Sequence, residues 1–380
     1  MKNILRFCLA FALSVGFVSN SHAQETESSK GKIIIAVNTD WGVGYFTDVN
    51  GKLLYKKQFE EVGTFEDGLA NVKINGKYGF INTAGELVLP CVYDGADSFS
   101  EGLACVEING KYGFINTAGE LVIPCMYDDA GFFINGVVRV GINDKYGFIN
   151  PSGDVIVPCI YEYFDIAYNF TNGLAKVNID GKSGFINTSG ELVIPCVYDD
   201  ASSFIGGVAG VGINGKYGCI NTAGEVVVPC VYDDISFFSE GLACVEINGK
   251  CGFINKSGEL VIPCVYDGAD CFFDGLAGVV IDGKCGYINH SGELVIPCVY
   301  DGVFYFSEGL ANVKINGKHG FINTAGELVI PCVYDDADIF DLGLCMVRDG
   351  EIYKVINKDG KVIIPQCSCS RYDTYWSVVK

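Results

Sequence analysis

The glycine of a Gly-Phe-Ile-Asn-type segment recurs at Gly79, Gly113, Gly147, Gly184, Gly218, Gly252, Gly286 and Gly320, every 34 residues apart from one gap of 37. Length alone would divide 380 residues into two or three domains. Copies this regular are read instead as one array, in which each unit buries its apolar face only against its neighbour. Worn copies flank the clear ones. Gly51 lies one period before Gly85, and Ile356-Asn357 with Gly360 keep register at the far end, where Lys354 replaces the glycine. At 49% hydrophobic residues the chain can fill a core along its length. No stretch sustains a 3.6-residue apolar period, so helices are not expected.

One unit, residues 100–129, shows the local grammar. Leu103 to Ile108 alternates two sets of side chains, as a strand with one buried face does. Asn109-Gly110 suits a two-residue hairpin turn, since both residues tolerate positive φ. A second strand, Lys111 to Asn116, carries Gly113 inside it, which predicts a bulge or a close backbone approach. After Thr117-Ala118-Gly119 a third strand, Glu120 to Ile123, is expected to stop at Pro124. An acidic, aromatic connector then leads to the next copy. A lone three-stranded meander is too small to stand by itself.

The expected fold is therefore all-β: a tandem array of about nine to ten 34-residue three-stranded antiparallel β-meanders. Residues 32–365 form the array and residues 366–380 a C-terminal tail. An open solenoid or superhelix is preferred, because 34 residues is short for a propeller blade and worn ends resemble caps. The alternative is a closed β-propeller-like ring.

At Gly-Lys-Tyr-Gly-Phe-Ile-Asn-Thr-Ala-Gly-Glu-Leu-Val-Ile-Pro the sequence resembles the bacterial WG-repeat family, over roughly residues 40–365. The position of the family's tryptophan holds Tyr78, Tyr112, Tyr146, Ser183, Tyr217, Cys251, Cys285 and His319; the literal pair stands only at Trp41-Gly42. The resemblance implies a mostly β repeat domain that mediates interactions, with no established catalysis and no site to carry over. A large aromatic at that position is expected to pack between units.

Lys2 and Arg6, the apolar run Phe7 to Val18 and Ser21-His22-Ala23 read as a signal peptide, residues 1–23, followed by a polar leader, residues 24–31. The chain is accordingly expected in the periplasm, the cell envelope or the medium, with no membrane insertion after cleavage. A formal charge of −20 argues against nucleic acid as a partner. Eight cysteines follow the unit's proline, Cys91 to Cys332, and read first as small buried residues. Cys251 and Cys285 share another register and are the best pair to test for a disulfide. His290 and His319 read as surface substitutions. The paired aspartates after the unit's tyrosine read as turn formers rather than calcium ligands. No catalytic residue, metal or cofactor is expected. The longest connector, with Tyr163, Phe164, Tyr168 and Phe170, is either a contact for a ligand or a bulge packed on its own unit. The favoured function is multivalent binding of a protein, peptide or envelope glycan; a hydrolase of envelope material and a structural spacer are the alternatives.

Overall fold

Asn109 and Gly110 take φ of 54° and 73°, and the hairpin they turn joins two strands in full register, Leu103 opposite Asn116 through Ile108 opposite Lys111. The computed structural model describes residues 32–39, 43–162, 169–367 and 374–379, the last by backbone only. The chain divides into a unit spanning Ile33–Val379 and the remainder, Met1–Lys32 with Lys380. The signal peptide and leader expected over residues 1–31, and Trp41-Gly42, lie outside the described residues.

The second repeat represents the others. Gly95–Ala96, Leu103–Ile108, Lys111–Asn116 and Leu121–Tyr127 pair antiparallel in that order. Two expectations are corrected here. Eight of the nine repeat sheets gain a two-residue fourth strand from the connector, the sheet of Leu174–Tyr198 having three among the described residues, and the third long strand runs through Pro124 to Tyr127 instead of stopping. Proline is accommodated because this is an edge strand, whose outward N–H groups need no partner. Tyr112 pairs with Tyr127 and Phe114 with Ile123, so two residues on one strand face four on the other. The surplus, at Pro124-Cys125, arches over Gly113. A Cβ on Gly113 would lie 2.5 Å from the Ile123 carbonyl oxygen and 2.6 Å from the Cys125 nitrogen, so no other residue fits. The expected close approach is present in every repeat that keeps this glycine, from Gly79 to Gly320.

Among the described residues there are ten sheets: nine repeat sheets and a terminal sheet in which Lys32–Thr39 lies between Val43–Asp48 and Thr374–Val379. Residues 374–379 are thus a strand and not part of a tail. Ten apolar cores separate the sheets, each shared by two neighbours. Between the second and third repeats, Leu103, Phe114, Ile123 and Tyr127 meet Phe133, Val138, Val140 and Ile149. Phe114 and Phe133 pack edge to face at 5.0 Å, and the equivalent pair recurs at 4.8–4.9 Å in most interfaces. The remaining cores repeat this arrangement.

The preferred open solenoid is overturned by the terminal sheet. Ile34 and Ala36 pack on the first repeat, while the alternate residues Ile35 and Val37 pack on Leu344, Val355 and Ile364 of the ninth. One strand, buried on both faces by period-two alternation, joins the two ends of the array into a closed propeller-like ring. Closure removes the exposed sheet faces that a solenoid must cap.

Polar bonds stitch the same seams. Asp94 ion-pairs with Lys77 of the first repeat and accepts 2.8 Å from the Asn109 N–H in the second repeat's hairpin. Asp128, Asp199, Asp233, Asp267, Asp301 and Asp335 repeat the bracket, and Glu162 keeps the lysine contact. The first aspartate of each pair therefore ties neighbouring sheets together, a role that reading it as a turn former had missed.

Candidate binding cleft

Cross-strand pairing places one row of side chains across each repeat sheet, and here the copies disagree. The row reads Lys73–Tyr78–Tyr93, then Glu107–Tyr112–Tyr127, Gly141–Tyr146–Tyr161, Asn178–Ser183–Tyr198, Gly212–Tyr217–Tyr232, Glu246–Cys251–Tyr266, Val280–Cys285–Tyr300, Lys314–His319–Tyr334 and Arg348–Tyr353–Cys367. The core positions beside it, such as Ala104, Val106 and Ile115, are near-identical from copy to copy. The third member is a tyrosine packed into the seam in eight of the nine copies, so the variation lies in the first and middle members.

Between the first and second repeats the row opens into a cavity of about 360 Å³. Glu61, Asn71, Lys73 and Tyr78 line it from the first sheet; Asp94, Asp97, Glu107 and Tyr112 line it from the second. Tyr78 Oη donates to Glu61 at 2.5 Å, and the Lys73 ammonium lies 3.8 Å from the same carboxylate and 5.0 Å from the Tyr78 ring centroid. Asn71 donates 2.8 Å to the Ala96 carbonyl, tying the floor together. It fits only because Gly63 faces it: a Cβ there would sit 1.9 Å from Asn71 Oδ1. Desolvation, then Asp129, raises the Asp97 pKa above the usual carboxylate range. Its side chain is exposed at the cleft, with the packed sheets beside it raising the cost of its charge. Burial, followed by Glu107, Cys105, Asp129 and Asp97, pushes the Tyr112 phenol up as well.

The other residues singled out in the sequence fall as follows. Tyr163, Phe164 and Tyr168 lie outside the described residues. Phe170 is no exposed contact: it is buried and packs 4.8 Å from Phe148, as Phe133 does on Phe114. Cys251, Cys285 and the eight cysteines after the proline are free thiols. Those after the proline are half-buried, each 3.5–3.9 Å from a valine carbonyl of its own repeat where the bond is seen. Cys251 and Cys285 belong to successive seams, and Cys251 shares a thiol hydrogen bond with Cys244 of its own sheet. His290 is partly exposed, 3.2 Å from Glu240. His319 is buried and not a surface substitution; its Nδ1 lies 2.9 Å from Asn312 Oδ1. Among the described residues no group of three or more His, Cys, Asp or Glu is arranged to hold a metal ion.

Nine successive segments, the first beginning at residue 46 and the last ending at residue 351, match the family model described as WG containing repeat. The chain belongs to the WG-repeat family. The family's tryptophan position is the middle of the variable row, so this WG-repeat ring has changed its signature residue at the face where its copies differ. No curated protein matches the chain in sequence. Among solved structures, the crystal structure of a eukaryotic initiation factor is 10% identical over 92% of this chain and 98% of its own, with a TM-score of 0.54, which supports the fold alone. Apo AztD from Citrobacter koseri is 11% identical over 92% and 98% at a TM-score of 0.36. PorZ of Porphyromonas gingivalis is 10% identical over 81% and 52% at 0.27.

Proposed function

We propose that this WG-repeat ring is an exported binding module that recognises a partner polypeptide through the variable row, with the cleft between the first two repeats as its best-formed contact. The observation that carries this reading is the division of labour within each sheet. The core positions recur with little change, while the first and middle members of the row crossing the sheet differ in charge, size and polarity from copy to copy. Nine adjacent rows give many weak contacts that add through avidity. Export is supported by the charged and apolar pattern of residues 1–23.

The test is a screen of co-secreted proteins, peptides and envelope glycans against the full chain and against Tyr78→Ser with Tyr112→Ser. The fourth repeat already carries serine at this register, Ser183, so the double variant should keep its circular dichroism and a cooperative, if lower, melting transition. The expected result is a polypeptide ligand whose affinity drops about tenfold or more in the folded variant, as loss of two interfacial aromatics implies. Ligands indifferent to both substitutions would remove the row as the recognition surface.

A further inference from the structure

We infer that the hollow bounded by Asp97, Glu107 and the Tyr112 ring takes a lysine or arginine side chain of the partner polypeptide; this rests on the binding reading above and names the chemistry of its cleft. Three tyrosines share one register, Tyr78, Tyr112 and Tyr146. In the first repeat the Lys73 ammonium stands over the Tyr78 ring at 5.0 Å, balanced by Glu61. In the third repeat the Arg139 guanidinium stands over the Tyr146 ring at 4.9 Å. Gly141 allows this, because a Cβ there would press 2.9 Å from Tyr146 Cε1. Twice, then, the fold places its own cation on this ring, where the negative π-face attracts it.

The second repeat has the ring and the anions without the cation. Glu107 replaces Lys73 and Cys105 replaces Arg139 at the matching strand positions. Among the described residues no lysine or arginine covers Tyr112. Among the described residues the Asp97 carboxylate has no hydrogen-bond or ion-pair partner, while its backbone N–H is spent on the Cys105 carbonyl at 3.0 Å. Glu107 has room because Gly95 faces it: a Cβ at Gly95 would lie 2.9 Å from Glu107 Oε2. Asp129 of the third repeat adds a third negative charge to the group acting on Tyr112. The one lysine lining the cavity, Lys73, is held by Glu61 and Tyr78. Carboxylates gathered around one aromatic ring are relieved by a cation. A cavity of about 360 Å³ admits one extended side chain and not a folded surface.

The experiment is calorimetric titration of the full chain at low salt with three end-blocked peptides, Gly-Lys-Gly, Gly-Arg-Gly and Gly-Gln-Gly, and with glucosamine. The basic peptides should bind about tenfold or more tightly than the glutamine peptide, the lysine and arginine arms deciding which cation fits better. Asp97→Asn should weaken them several-fold. Glu107→Lys should abolish the preference by supplying the cation from within, as Lys73 does; Lys314 already occupies this register in the eighth repeat, so the sheet tolerates it. Equal affinity for the basic and glutamine peptides, glucosamine binding as tightly as lysine, or a preference surviving Glu107→Lys would overturn the inference. If Glu107→Lys leaves the ligand found in the screen bound while Tyr112→Ser releases it, the cation assignment falls and the binding reading stands.

Discussion

The body of each sheet and the row that crosses it obey opposite rules. In the body, Phe114 meets Phe133 across the seam as Phe80 meets Phe99, and the hydrophobic side chains around them recur from copy to copy. In the row, Lys73, Glu107 and Gly141 stand at equivalent places and are chemically unlike. The difference shows which positions the ring needs and which it leaves open. A closed stack of like sheets demands like surfaces at every seam, since one poor joint strains all the others. In the row only the closing tyrosine, Tyr127 and its equivalents, meets that demand; the first and middle members vary.

If the body tolerated change, body and row would obey the same rule. Phe114→Ala should be the most damaging single substitution, costing about 3–5 kcal/mol, because it empties the centre of a seam that cannot collapse without moving two sheets. Chemical denaturation of the variant reads this; a loss under 1 kcal/mol would mean that the seams are loosely packed. Gly113→Ala should cost about 1–3 kcal/mol, since its Cβ meets backbone rather than a side chain that can move. The same substitution at Gly102, where nothing lies within 4 Å, isolates the strain of its positive φ from the clash.

The smallest expected effects are electrostatic and are read through pH. Lysine and a backbone N–H hold Asp94, Asp128, Asp199, Asp233, Asp267, Asp301 and Asp335 below the usual carboxylate range. Their folded values lie under the unfolded ones, so their contribution is complete above about pH 4–5 and fades as pH falls through the folded values. Asp270 runs the other way. Burial raises it to about 6, so the folded state favours its protonated form, and stability falls as pH rises from about 4 to 6. Asp270→Asn should therefore raise the melting temperature at pH 7 and leave it little changed at pH 4. A shift of equal size at both pH values would place the effect outside titration.

Much of the body was legible in the sequence because it depends on short-range rules. The Asn109-Gly110 hairpin, the alternation in Leu103–Ile108 and the crowding at Gly113 all follow from residues within one copy. The edge strand was cut short at Pro124 because proline's missing donor matters only where a neighbour would use it, and edge position is not a local property. Phe170 was read as a loop aromatic because three extra residues hid its register with Phe133 and Phe204; aligning it backwards from Gly173 would have placed it in the core. The cleft left a weaker signal, a charge reversal from Lys73 to Glu107 at one register, which is visible only once the strands are paired.

The sequence by itself determined the unit: its length, its hairpins, its glycine under the arch and its need for an identical neighbour. Whether the stack ends or closes was decided only in three dimensions. Ile34 and Ile35 look alike on paper, but successive residues of a strand face opposite ways, and these two serve the first repeat and the ninth. Their separation of roughly three hundred residues from the ninth repeat carries no local trace. The cleft has the same origin, since Tyr78 and Tyr112 share it only because two sheets stack.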